Sequence, residues 1–410
     1  MRQLRLPLLT ALGIAIVCSG VSERSVAQPA MTADDAKVLA GIDVLAADNF
    51  AALAGLRVGL LTNQASRANS GQRTIDVLAQ APGVRLAAIF SPEHGLGGDR
   101  EGEIESGRDL QTGLPVHSLY GATRRPLGPM LAGLTALVVD LQDVGVRFYT
   151  YASTMAYVME EAARRRLKVF VLDRPNPIGA AGVRGPLPDA GARSLTGYFR
   201  MPLQHGMTLG ELARMFNVEN RIGAELTVIA MRGYRRKSWY EDTGLTWVAP
   251  SPNLRSLHST VLYPGVGLIE DTNVSVGRGT PTPFELVGAP WIDGQALAKY
   301  LQRRGIAGVQ FVRVDFTPAA SRYAGKRCHG VRIVLQDKAA LDAARLGIEL
   351  AAALYRLHPD RFAVRDMFRL LGSREVLAAI EAGEDPAAIE ARWQPALRAF
   401  EAVRVRYLLY

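Results

Sequence analysis

The stretch 84–95, VRLAAIFSPEHG, is apolar apart from Arg85 as far as Phe90 and then stops at Ser91-Pro92-Glu93-His94-Gly95. A proline lacks the N–H that a strand ladder needs, and glycines allow the chain to leave a sheet sharply. The pattern therefore describes a short buried strand that delivers a carboxyl and an imidazole to its own end. Three further runs have the same form: LRVGLLTNQ (56–64), LTALVVDLQDVG (134–145) and LKVFVLDRPNP (167–177). Between them lie helical patterns in GQRTIDVLAQA (71–81), RPLGPMLAG (125–133) and TMAYVMEEAARRR (154–166). Short continuous apolar runs alternating with helices predict a parallel sheet covered on both faces, an α/β, Rossmann-like domain.

Parallel strands line up their carboxyl ends along one edge, and ligands of such sheets bind there. The polar residues that close the four runs are Asn63, then Glu93 and His94, then Asp140, Gln142 and Asp143, then Asp173, Arg174 and Asn176. These are the first candidates for a site. Glu93 has the chemistry of a general acid or base. Asp140 and Asp143 could supply the second carboxyl of glycosidic chemistry. Arg147, Tyr149 and Tyr151, in DLQDVGVRFYTYAST (140–154), add a cation and two phenols. Structural readings compete with each of these: a loop salt bridge for Glu93, strand positions on alternate faces for the tyrosines, and a turn cap for Asp173.

Downstream, QHGMTLGELARMF (204–216) places His205 ahead of a helix capped by Thr208, with Glu211 at the matching capping-box position. The proline-stiffened WVAPSPNLRSL (247–257) suggests a boundary, which puts the first domain at 37–260 and a smaller α+β domain at 261–410. The second opens with a long polar stretch expected to be loop (262–292), in which NVSVGRGT offers Asn273, Ser275 and Arg278 to an anion. Strands VQFVRVDF and GVRIVLQD follow, with helices in 341–359, 373–383 and 386–407.

The chain has 410 residues, 48% of them hydrophobic, and a net charge of +9, enough for a sizeable core. The basic runs lack interleaved aromatics, so nucleic acid is not an expected partner. An anionic polymer such as the cell wall fits the charge better. Arg2 and Arg5 ahead of LPLLTALGIAIV, with Ser25 and Ala27 in the cleavage positions, predict a signal peptide over residues 1–27. The expected location is periplasmic or secreted, with no membrane-spanning segment after cleavage. The six histidines show no zinc-like spacing, and no dinucleotide fingerprint, P-loop or serine-hydrolase elbow occurs, so neither a metal nor another cofactor is expected.

Taken in order, IFSPEHGLGG, TGLPVHSLYG, DLQDVGVRFYTYAST, VLDRPNPIG, QHGMTLGELA, PSPNL and LYPGVGLIEDTNVSVGRGTPTPFELVGAPW resemble the exo-β-N-acetylmuramidases of the NamZ type, glycoside hydrolase family 171. The resemblance spans about residues 40–410. It implies a Rossmann-like catalytic domain with a smaller C-terminal domain, no nucleotide or metal cofactor, and release of terminal β-1,4-linked N-acetylmuramic acid from the non-reducing ends of peptidoglycan fragments. It makes muramyl saccharides the expected partner, Glu93 the favoured catalytic residue, and Tyr149 or Tyr151 a second participant. In the mechanism it suggests, Glu93 protonates the glycosidic oxygen. Asp140, Asp143 or the substrate's own acetamido group then completes the displacement. Arg147, Arg174 or Arg278 would bind the lactyl carboxylate. The chain departs from the family pattern at Val276, where a glutamate is common, at Asp271, where glycine is common, and in the loop LGGDREGEIE. The alternative from the residues alone is an exported protein that binds a wall-derived amino sugar without cleaving it.

Overall fold

In the computed structural model, which describes residue 1, residues 37–191 and residues 193–410, the elements run in chain order as follows. The first part contains α1 (Gly41–Ala47), β1 (Arg57–Leu61), α2 (Thr74–Ala79), β2 (Arg85–Ser91), β3 (Gly107–Arg108), β4 (Pro115–Ser118), β5 (Ala136–Val139), α3 (Tyr151–Arg165), β6 (Lys168–Leu172), α4 (Leu209–Glu219) and β7 (Glu225–Ile229). The second contains α5 (Leu257–Val266), β8 (Leu286–Ala289), α6 (Gly294–Arg303), β9 (Val309–Phe316), β10 (Cys328–Leu335), α7 (Ala343–Leu357), α8 (Phe368–Leu371), α9 (Arg374–Glu381) and α10 (Pro386–Arg404). The expected signal peptide lies outside the described residues, Met1 apart. No helix among the described residues is long and apolar enough to cross a membrane.

The first seven strands form one sheet in the order β3-β4-β2-β1-β5-β6-β7, parallel except for the β3–β4 pair at its edge. This is the α/β architecture that the four apolar runs predict. The runs supply β1, β2, β5 and β6, whose interiors are almost wholly buried. The short outer strands β3, β4 and β7 carry weaker patterns that the sequence reading passed over. β7 is half-exposed along its length, as an edge strand can be. The chain leaves β1 toward β2 on one side and later returns to place β5 on the other. The order therefore reverses beside β1, at the carboxyl edge where doubly wound sheets bind ligands.

The second sheet is antiparallel, β8-β10-β9. Residues Ala36–Tyr410 form one compact unit. A single apolar cluster extends from Leu61 and Phe90 on the first sheet through Tyr263 and Val287 to Trp393 and Tyr407. Two local expectations change. The segment 125–133 is only a 3₁₀ turn (Gly128–Leu131), because Gly128 and Pro129 shorten it. The supposed loop at 262–292 begins inside α5, which tolerates Pro264 because the helix is buried and packs hard against α7. A Cβ on Gly265 would lie 2.2 Å from the Ala343 carbonyl oxygen, so only glycine allows that approach.

The carboxyl edge is held by buried polar groups. Asp140, directly after β5, is fully buried and accepts hydrogen bonds from Arg174 Nε and Nη2 and from Thr74 Oγ1. Asp173, directly after β6, accepts from Thr208 Oγ1 (2.7 Å), the Gly210 N–H (2.8 Å) and the Tyr410 hydroxyl (2.7 Å). It thereby ties the start of α4 and the chain's last residue to the sheet. Thr208 and Glu211 close the capping box that their spacing predicts. Removing one member of a buried ion pair strands the other charge. Asp140→Asn is therefore expected to lower stability by about 3–5 kcal/mol, read as a fall in the urea midpoint with an unchanged slope.

Candidate functional site

Three residues beyond the end of β2, the chain turns out of the sheet through His94 and Gly95, both left-handed (φ 72° and 74°). Positive φ is uncommon in a histidine and marks a fixed, sharp turn. The His94 ring is held by its Nδ1, 2.8 Å from the Arg100 carbonyl oxygen. The turn leaves the Glu93 carboxyl half-buried on the wall of a cavity of about 330 Å³. Thr150 Oγ1, just ahead of α3, donates to Glu93 Oε2 at 2.6 Å. The Tyr120 phenol, on the same wall, is pushed up to about 12, first by burial and then by the Glu93 carboxylate beside it.

The two tyrosines of RFYTY part company. Tyr151 opens α3 beneath the floor: its hydroxyl donates to the Pro250 carbonyl (2.6 Å) and accepts from Asn63 Nδ2 (2.8 Å). It and Asn63 hold the backbone under Glu93. Tyr149 lines the cavity, and its hydroxyl is buried without a hydrogen-bond partner among the described residues. Its ring lies 4.6 Å from that of Tyr151 and edge-on to Tyr263 at 6.3 Å. Burial raises the Tyr149 phenol well above its usual range, so it stays protonated and can offer a hydrogen bond. Neither tyrosine is in a strand.

The C-terminal half completes the cavity, and sequence reasoning missed most of its contribution. Tyr263 comes from α5, Glu270 from the turn that ends it, and Arg369 from α8. Arg278, from the GRG string, pairs with Glu101 at 2.7 Å and approaches Glu270 at 3.6 Å. Arg369 makes a two-pronged pair with Asp271, both bonds at 2.6 Å. Glu270 is pushed up to about 7, chiefly by burial. Ser275 faces an adjoining cavity of about 460 Å³ that Glu270 and Arg278 also line. Its Oγ accepts from the Gly277 N–H.

Several expected site residues lie elsewhere, each because the buried edge already uses it. Asp140 and Arg174 bind each other and do not reach the cavity. Asp143 accepts from the Gly145 N–H at 2.7 Å and sits 3.6 Å from His205 Nε2, both buried. Neither aspartate can be a second carboxyl beside Glu93 in this arrangement. Gln142 donates to the carbonyls of Asp143 and Pro175. Asp173 anchors α4, and Asn176 closes a turn through Met207 and Ile178. Arg147 is entombed. It donates to the Leu370 and Leu371 carbonyls at 2.6 and 2.7 Å, and burial holds it down at about 10. It clasps the C-terminal half from behind and cannot meet an anion in the cavity. Asn273 braces residues 361–363 through the Arg361 carbonyl and the Ala363 N–H. Among the described residues, no cluster of three or more His, Cys, Asp or Glu side chains could hold a metal ion.

An α/β sheet whose carboxyl edge, completed by the C-terminal half, brings carboxyls, protonated phenols and guanidinia into one small cavity defines an enzyme built to act on a polar, oxygen-rich ligand such as a sugar. The NamZ exo-β-N-acetylmuramidase N-terminal profile matches residues 58–258 and the C-terminal profile residues 261–410, and the chain belongs to that family. It is 41% identical over 384 residues to the peptidoglycan β-N-acetylmuramidase NamZ of Bacillus subtilis (strain 168), covering 92% of this chain and 93% of that protein. It is similar in fold to two crystal structures of DUF1343 family proteins from Bacteroides fragilis NCTC 9343. One has a TM-score of 0.85 at 35% identity, covering 92% of this chain and 99% of the other. The second has a TM-score of 0.77 at 33% identity, covering 91% and 99%.

Glu270 gives this site a titration of its own. Its carboxyl is expected to stay neutral until the pH approaches about 7, against 4.5 for a free side chain. The sign follows from linkage: the stability this group contributes is complete below about 4.5 and is lost as the pH rises through about 7. Infrared difference spectra should show a protonated-carboxyl band that titrates near neutrality and is absent from Glu270→Gln.

Proposed function

We infer that this protein is an exo-acting glycoside hydrolase that releases terminal β-1,4-linked N-acetylmuramic acid from the non-reducing ends of peptidoglycan fragments, in cell-wall turnover. The observation that carries this reading is the position of Glu93. The glutamate of SPEHG stands on the cavity wall at the sheet's switch point, in a chain that matches the muramidase family through both halves. A cavity of about 330 Å³ is at the lower end of small-ligand sites, which suits one terminal sugar rather than a threaded glycan.

Within this reading Glu93 acts on the glycosidic bond, and Thr150 holds its carboxyl in place. Tyr149, protonated and without a hydrogen-bond partner among the described residues, donates to a polar group of the sugar. Arg278 and Arg369 are the cations that can meet the lactyl carboxylate, the group that separates muramic acid from N-acetylglucosamine. Both are paired with acids in the free protein, so an incoming carboxylate exchanges with Glu101 or Asp271. Export by the Arg2/Arg5-led signal peptide would place the enzyme with its polymer, in the periplasm or outside the cell.

Mass spectrometry of synthetic MurNAc–GlcNAc incubated with the mature protein tests the reaction, with GlcNAc–MurNAc as control. Cleavage of the first alone is expected, and cleavage of neither by folded protein overturns the reading. Glu93→Gln should lose about 10²-fold or more of the turnover while still binding the disaccharide by calorimetry. Arg278→Met should raise KM about tenfold or more, the range of a lost charge-assisted hydrogen bond, and leave kcat the less affected.

A further inference from the structure

Glu270 is the group in the cavity that the family strings left without a task. It follows directly on the 3₁₀ turn Gly267–Ile269 that prolongs α5, and its own N–H bonds back to the Gly267 carbonyl at 3.1 Å. Leu268 and Ile269 are fully buried, and Gly267 is pressed against the rings of Tyr263 and Phe148. The carboxyl is thus carried on a rigid support, as a reacting group needs to be. It is only 15% exposed, yet its oxygens accept no hydrogen bond from the described residues. Its nearest cation, Arg278, stands at 3.6 Å and is already bonded to Glu101. A buried carboxyl left this bare is costly as an anion, and its place at the end of a helix, where carbonyl oxygens converge, adds to that cost.

Glu93 is arranged in the opposite sense. It receives the Thr150 hydroxyl at 2.6 Å and lies beside the Tyr120 phenol, two donors where Glu270 has none among the described residues. Two carboxyls line this one cavity, one provided with donors and one deprived of them, and glycoside hydrolysis uses two carboxyls whose surroundings differ in this way. The other charged and titratable groups facing Glu270 are Arg278, Asp271, Arg369, Glu93 and Tyr263.

We propose that Glu270 is the second catalytic carboxyl of this enzyme and the one that protonates the departing oxygen, with Glu93 as the base that takes the proton of the attacking water. The inference rests on the muramidase reading above. The bond between C1 of muramic acid and O4 of the next sugar breaks, its electron pair stays on O4, and O4 takes the proton of Glu270. Water adds its oxygen to C1, and the proton it sheds goes to Glu93. Solvent then carries a proton from Glu93 back to Glu270, so the enzyme ends as it began. This reassigns the proton-donor role that the sequence pattern gives to Glu93.

The test compares two leaving groups. The wild type, Glu270→Gln and Glu93→Gln are assayed on MurNAc–GlcNAc and on 4-nitrophenyl β-N-acetylmuramide, whose nitrophenolate departs without needing a proton. Glu270→Gln should lose about 10²-fold or more in kcat on the disaccharide, the usual worth of a general acid, and much less on the nitrophenyl glycoside. Glu93→Gln should lose activity on both. In the wild type, kcat on the disaccharide should fall as the pH rises through neutrality, and that limb should be missing with the nitrophenyl substrate. This measurement needs no variant to fold. Equal losses by Glu270→Gln on both substrates, no loss on either, or an identical alkaline limb for both would overturn the assignment. If the wild type cleaves neither substrate, the muramidase reading itself falls. If it cleaves the disaccharide without leaving-group dependence in Glu270→Gln, Glu270 alone loses its role.

Discussion

Asp140 and Arg174 leave neighbouring parallel strands at the same edge and meet where neither can reach water. Each charge is tolerable only because the other is there. Their bonds reach on to Thr74 at the start of α2 and to the Arg67 carbonyl. A second buried centre, Asp173, holds α4 and the terminal Tyr410 to the next strand. These polar anchors fix the height and spacing of the loops on the carboxyl edge. The turn that carries Glu93 and the helix start that carries Thr150 stand on that edge.

This division of labour explains what the sequence could and could not disclose. The apolar runs and their alternation with helices were legible because strand burial leaves a direct record in residue type. Glu93 and His94 were legible because a proline and glycines isolate them at a strand end. Asp140, Asp143, Asp173, Arg174 and Arg147 carry the same surface signature as catalytic groups: charged side chains at the ends of buried strands or just beyond them. Only three-dimensional contacts show that their charges are spent on one another, on buried hydroxyls and on backbone N–H and carbonyl groups. A polar residue at a sheet edge can serve the ligand or the loops, and the alphabet of residues is the same for both.

Tyr263, Glu270 and Arg369 were illegible for a different reason. They are separated from Glu93 by 170 residues or more of chain and lie on α5, its closing turn and α8. The stretch 262–292 looks like loop because it is rich in glycine and proline. Buried, those same glycines let α5 run against α7 at backbone contact, and the tight packing holds Glu270 in place. The features that disguise the helix in the sequence are the ones that make it a firm support. The Arg147 clasp on Leu370 and Leu371 does the same for Arg369 from the other side.

Arg278 then joins recognition to chemistry. In the free protein its guanidinium is shared between Glu101, on the loop after Glu93, and Glu270. A lactyl carboxylate that takes this guanidinium draws positive charge away from Glu270 and adds negative charge beside it. Both changes favour the protonated form of Glu270. A substrate without the lactyl group leaves Arg278 where it is, and Glu270 the weaker holder of its proton. Under the proposed assignment, selectivity for muramic acid would therefore show in kcat as well as in KM, because the group that identifies the sugar also readies the acid that cleaves it.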